Sequence, residues 1–304
     1  MIRSLAHNEI DKKKWDDAIR RSFNGMIYAY SWYLDIICPG WDALEKNNYE
    51  YVMPLTGGKK YGISYLYPPF FSQQLGIFSA SRLDENITEE FLAAIPEKFR
   101  YVEINLNKFN KYAGTAFAVT KNINHELDLI HPYEKLFGNY SDNAQRNVKR
   151  SQKNELKIKK HVDISDVIRL FRSNRGREVN ELKTKHYSIL SDLSECCANH
   201  RCGEVWGVVN KHDELCAGAL FVRSNGRVIF LFSGLSKEGK KLGAMFFLID
   251  EFIRLHSEQN IIFDFEGSNN KDLARFYKSF GSKESVYLQV RKNALPPLLK
   301  WLKQ

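Results

Sequence analysis

The chain has 304 residues, with 45 Lys and Arg against 36 Asp and Glu for a formal net charge of +9, and is 43% hydrophobic and 13% aromatic. That aromatic load excludes a disordered chain, the length suits two domains of about 150 residues, and the charge suits anionic ligands such as CoA, tRNA, phosphosugars or a membrane surface, and equally plain solubility. No run reaches the roughly 18 apolar residues of a membrane span, five irregularly spaced cysteines imply no disulfide framework, and the start does not read as a signal peptide, so a cytoplasmic setting is expected.

In chain order, residues 2–5 read as a strand and 10–23 as a helix with Trp15, Ala18, Ile19 and Phe23 along one side. A strongly aromatic helix over 28–37 ends at Pro39-Gly40. Residues 49–55 and 61–66 flank Gly57-Gly58 as a β-hairpin. Thr88 is placed to cap a helix over 89–99, since its hydroxyl can accept a free N–H of the first turn. Residues 101–106 alternate as a strand, and the polar stretch 107–121 joins the two halves. The order strand, two helices, two strands, helix and strand resembles a pared-down GNAT-type acyltransferase domain. That resemblance implies no cofactor in this half, since the Pro- and Phe-rich segment 67–74 stands where an active domain of that kind has its phosphate loop.

The second half begins with a strand over 126–130 and a basic helix over 132–153. On it Arg146, Lys149, Arg150 and Lys153 share one side by three- and four-residue steps, as a solvated face or a polyanion-binding face would. A strand over 156–159 and helices over 164–171 and 188–198 follow, then an antiparallel pair over 205–209 and 216–222. Cys196, Cys197, His200 and Cys202 lack a second ligand pair, so no metal is expected and a helix end is the reading.

Arg227-Val-Ile-Phe-Leu-Phe-Ser233 is the third strand of that meander. A turn rich in glycine and lysine, 234–243, leads into a helix over 244–258 with Met245, Leu248, Ile249, Phe252 and Leu255 at helical steps. A strand over 261–265 and a short helix over 271–280, stopped by Gly281, come next. A strand over 286–290 and a helix over 296–302 close the chain. Strand, turn, helix and strand in this order make a right-handed crossover whose turn lies at the strands' carboxyl ends. The free N–H groups of a helix's first turn suit a pyrophosphate. The residues offered to one are Ser233, Gly234, Leu235, Lys237, Gly239, Lys240, Lys241, Gly243 and Ala244; a solvated helix start is the alternative.

Asn270, Tyr277 and Gly281 match the Asn-x6-Tyr-x3-Gly signature of GNAT-type N-acyltransferases, and Gly239-Lys-Lys-Leu-Gly243-Ala244 is similar to their pyrophosphate loop, with Gly239 in place of its Arg or Gln. Phe263-Asp-Phe-Glu-Gly267, Phe276-Tyr-Lys-Ser-Phe-Gly281 and Asn143-Ala-Gln-Arg146-Asn147-Val-Lys149-Arg150 resemble motifs of Fem-type aminoacyl transferases, which carry Phe-Lys at Phe276-Tyr277. The resemblance covers roughly 135–290. It implies an α/β (α+β) fold of two tandem GNAT-like domains, each a mixed twisted sheet flanked by helices: a degenerate one over 1–120 and an acyltransferase domain over 121–304.

The same resemblance implies direct acyl transfer to an amine, without a metal. The donor would be acetyl-CoA or another acyl-CoA, held by the turn, by Asn270 and by splayed strands over 230–234 and 262–266. Tyr277, a phenol near pKa 10, would protonate the departing thiolate, or else be a core aromatic. Glu266, at the carboxyl edge of its strand, is the candidate base, and Asp264 two residues back shares its site or caps a helix. The alternatives are a Fem-type transfer from aminoacyl-tRNA, bound on the basic helix, to a cell-envelope precursor, and a non-catalytic polyanion-binding protein.

Overall fold

The computed structural model describes residues 1–177, 182–267 and 269–296. The chain divides into two compact units, Met1–Ile123 together with the chain from Ser285 onward, and Asn124–Glu284. The second unit is therefore shorter than the expected 121–304. The last strand returns to the first unit, where residues 289–293 pair antiparallel with 101–105. The expected helix over 296–302 falls, past its first residue, outside the described residues.

The first unit runs β1 (Ile2–Leu5), α1 (Lys12–Arg21), α2 (Ser31–Ile37), β2 (Asp42–Lys46), β3 (Tyr51–Leu55), β4 (Gly57–Lys60), β5 (Ile63–Leu66), β6 (Phe78–Ser79), α3 (Glu85–Ala93) and β7 (Phe99–Asn105). Strands β1, β2, β3 and β6 form one antiparallel sheet. β4 pairs antiparallel with β5, and β5 pairs parallel with β7. Leu66, Phe91, Leu92, Val102, Ile104 and Leu106 build the core between α3 and these strands.

Two local expectations change here. Gly57-Gly58 lies inside β4, and the hairpin turns at Tyr61-Gly62. Both turn residues have positive φ, 51° and 80°, which the twist of a two-residue hairpin requires. Residues 51–55 pair with β2 instead. α3 begins earlier than expected because Asp84 caps it, its carboxylate accepting from the Ile87 N–H at 2.9 Å. Thr88 lies within the helix and donates its hydroxyl to the Asp84 carbonyl.

The second unit starts inside β8 (Ala118–Asp128), so the expected linker over 107–121 already ends in a strand. It continues through α4 (Tyr133–Gly138), α5 (Asp142–Lys153), β9 (Lys157–Lys160), α6 (Ile164–Ser173), α7 (Thr184–Asn199), β10 (Gly203–Val209), β11 (Leu215–Ser224), β12 (Arg227–Leu235), α8 (Lys237–Leu242), α9 (Ala244–His256), β13 (Ile262–Gly267) and α10 (Lys271–Lys278); β14 (Lys283–Asn293) leaves it. Its strand order is β8-β13-β12-β11-β10-β9. Among its described strands only β12 and β13 are parallel, with α8 and α9 as their crossover. The expected helix over 132–153 is two helices, because Ser141 caps α5 by accepting the Ala144 N–H. The core joins α9 to the sheet, with Phe252 stacked on Phe221 at 4.1 Å. No described helix is long and apolar enough to cross a membrane.

One carboxylate lies inside this core. Asp250 of α9 is 1% exposed, and the Tyr133 hydroxyl donates to its two oxygens at 2.9 and 3.1 Å. Burial pushes its pKa up to about 6. A raised carboxyl adds stability that is fully present below its unfolded value near 4 and is lost as pH rises through about 6. Asp250→Asn should therefore shrink the stability difference between pH 4 and pH 8 by on the order of 2–3 kcal/mol. Denaturant melts at the two pH values check this, and an unchanged difference contradicts it.

Candidate active site

β12 and β13 pair from Arg227 opposite Ile262 to Ile229 opposite Asp264, and no further register joins them. Yet β12 runs on to Leu235 and β13 to Gly267. Both strands carry an irregularity at the parting. In β12, Leu231 is the extra residue, since Phe221 opposes Phe230 while Leu220 opposes Phe232. In β13, Phe265 and Glu266 fall between Asp264, opposite Glu126, and Gly267, opposite Asn124. Bulges end pairing and re-aim side chains. They open a V at the carboxyl ends, where the splayed strands were expected.

Glu266 sits at the mouth of this V with φ +59°, a left-handed conformation that costs a non-glycine residue about 1–3 kcal/mol. Its N–H donates to Asp264 Oδ1 at 2.8 Å. Asp264 neither shares an open site with Glu266 nor caps a helix, the two roles its spacing offered. It is fully buried, and Arg227 meets its Oδ2 at 2.6 Å while Asn124 Nδ2 meets Oδ1 at 3.0 Å. Burial pushes this carboxyl up, and the Arg227 guanidinium opposes that. Arg227 also holds Glu126 at 2.9 Å. Asp264 thus positions the bulge that carries Glu266; it is not placed to take a substrate proton.

The Asn-x6-Tyr-x3-Gly spacing describes α10 from end to end. Asn270 is its N-cap, with Oδ1 accepting the N–H of Asp272 at 3.0 Å and of Leu273 at 3.2 Å. Gly281 follows the helix with φ +78°. Asn270 is thereby committed to capping, and a direct donor contact is not required to explain it. Tyr277 lies between them, its ring stacked on Phe265 at 5.1 Å. Its side chain is half-buried, and its hydroxyl, which is not sealed from solvent, has no hydrogen-bond partner among the described residues. Burial pushes its phenol up, and the Glu266 charge adds to that. Beneath it lies His125, which the sequence reading missed, with ring centres 6.0 Å apart.

The glycine-rich turn takes another form. Residues 237–242 are the helix α8, capped by Ser236, whose Oγ accepts from the Gly239 N–H at 2.8 Å. A Cβ on Gly239 would stand 2.2 Å from the Cys216 carbonyl oxygen, and one on Gly234 would stand 2.3 Å from the Val167 carbonyl oxygen. These two glycines let α8 and α6 close on the sheet; neither is there for ligand approach. Gly243, with φ +78°, joins α8 to α9 and faces Asn147 and Arg150 of α5. Ser233 and Leu235 are half-buried, with the Leu235 carbonyl taken by Asn174 at 2.9 Å, and Ala244 is buried.

The cations stay exposed. Lys237, Lys240 and Lys241 of α8 and Arg146, Lys149, Arg150 and Lys153 of α5 face solvent. α5 buries Ala144, Val148 and Ser151 on its other side. Arg150 reaches within 3.6 Å of the Cβ position at Gly243, and Asn154 bonds the Leu242 carbonyl at 3.2 Å. The two basic stretches therefore lie on helices that touch at Gly243 and Leu242. All five cysteines are free thiols, and no group of three or more His, Cys, Asp or Glu among the described residues is placed to hold a metal.

A scan against protein-family models finds no match, and a search of curated sequences finds none either. Solved structures do match. FemX superposes with a TM-score of 0.67 at 12% identity, over 99% of this chain and 100% of its own. This chain has the fold of FemX. A protein of unknown function from Bacteroides thetaiotaomicron matches at 0.59 with 9% identity, over 92% of this chain and 94% of its own. L-PGS from Bacillus licheniformis matches at 0.51 with 11% identity, over 88% of each chain. At these identities the likeness to FemX and L-PGS is one of fold, and the site rests on its own residues.

Proposed function

We propose that this chain is a transferase that passes an aminoacyl group from tRNA to a primary amine at the open end of β12 and β13. The observation that carries the reading is the V that ends at Glu266, with Tyr277 on the helix that follows it and the exposed cations of α5 and α8 on helices that meet at Gly243. The amine attacks the ester carbonyl, a C–N bond forms, and Glu266 takes the amine's proton. As the C–O bond to the ribose breaks, Tyr277 protonates the leaving oxygen. Its raised phenol suits an alkoxide better than a thiolate, whose conjugate acid lies near pKa 8.5.

Acyl-CoA is the second reading of the donor. It is favoured by the edge of β12 beyond Ile229, which β13 leaves unpaired and which suits the amides of a pantetheine arm. Binding separates the two donors. Affinity for tRNA should fall steeply with salt, and replacing Lys149 and Arg150 together by alanine should lower the slope of log K against log [salt] by about 2. Titration of CoA under the same conditions should give no saturable heat. Tight CoA binding with no tRNA binding at 50 mM salt would transfer the reading to acyl-CoA. Gly243→Val is a poor probe of either donor, because at φ +78° and against α5 it disturbs packing first.

A further inference from the structure

His125 has the geometry of a group held ready for a partner. It is completely shut off from solvent, and neither Nδ1 nor Nε2 has a hydrogen bond among the described residues. Buried polar side-chain atoms are nearly always paired, and leaving one unpaired costs about 1–3 kcal/mol. A phenylalanine would fill this place without that cost. His125 occupies the apolar register of β8, between Ile123 and Leu127, while Asn124 and Glu126 turn the other way into the Arg227 network. Its ring lies beside Tyr277, which has no hydrogen-bond partner among the described residues either.

We propose that His125 is the positioning partner of Tyr277: the buried imidazole orients the phenol and returns the proton that the phenol gives to the leaving group. A neutral imidazole has one donor and one acceptor nitrogen. In the structure neither nitrogen yet bonds the phenol oxygen or the Lys278–Glu284 ion pair. In the step the protonated nitrogen turns to the tyrosinate and returns its proton, and the ring regains one from the Lys278 ammonium, which solvent recharges. Glu266 releases the amine's proton to solvent, so protons balance and the ring is never a lasting cation. The groups facing the imidazole agree with that. Burial lowers its pKa; the Glu284 and Asp264 carboxylates raise it, and Lys278 lowers it. Asn124, its neighbour on β8, is uncharged, and Glu126 is tied to Arg227.

The destination of the proton rests on the transferase reading, while the pairing rests on geometry alone, and one set of variants separates them. With ¹³C-labelled tyrosine and histidine, the Tyr277 Cζ resonance, assigned by its loss in Tyr277→Phe, is followed against pH. It is expected to inflect where His125 titrates, below the ordinary histidine value, and to lose that inflection in His125→Phe. The same variant should keep or raise the melting temperature. It should lower kcat at least tenfold, and should add no further loss to a protein that already carries Tyr277→Phe. A Tyr277 resonance without the inflection overturns the pairing, whether or not transfer is found. The inflection in a protein that transfers nothing supports the pairing and sinks the transferase reading.

Discussion

Replacing Arg227 with methionine is expected to cost about 3–5 kcal/mol of folding stability, the largest loss among single changes outside the apolar core. The guanidinium is 13% exposed and bonds Asp264 Oδ2 at 2.6 Å and Glu126 Oε1 at 2.9 Å. Without it, a fully buried carboxylate and a largely buried one face each other uncompensated. The loss should be greatest above neutral pH and shrink in acid, where protonation removes the repulsion. Arg227→Met combined with Asp264→Leu should recover part of it, because an apolar replacement of the pair leaves less charge stranded. Denaturant unfolding of the single and double variants measures both. A loss under 1 kcal/mol would mean the cluster is solvated and does not set the bulge at Glu266.

Tyr277→Phe is expected to lower kcat by about 10²–10⁴-fold, the range typical of a lost general acid. Stability should barely move, since the hydroxyl holds no hydrogen bond among the described residues and the ring keeps its stack on Phe265. Binding of the carrier should also hold, because it is assigned to α5 and α8. Steady-state kinetics and a melting curve on the same variant decide the matter. Undiminished turnover would make Tyr277 a core aromatic only.

Much of the second unit was legible in the sequence because its signals are local. The meander, the crossover and the exposed basic face of α5 follow from apolar period, turn residues and charge spacing. The site was legible only in part. Asp264 and Glu266 look alike as two carboxylates on one strand, and a bulge that sends them to different tasks is set by the register with β8, which local spacing cannot report. The glycines at 234 and 239 read as ligand approach, yet they answer to backbone atoms of Val167 and Cys216, distant in sequence. Arg227 looked like the first residue of an apolar strand, and its partners come from β8 and β13. His125 did leave a trace, a polar residue in the apolar register of a strand. That strand begins at Ala118, well before the residue from which the alternation was read.

Transfer itself is the most direct test. Mixed tRNA charged with ¹⁴C-labelled amino acids is incubated with the protein and a panel of primary amines, then treated with mild alkali, which cleaves the ester to tRNA but leaves an amide intact. The account predicts that label moves into alkali-stable amide with the wild-type protein and does so far more slowly with Tyr277→Phe. Label that stays alkali-labile at the rate seen without protein, for every amine tried, would contradict it.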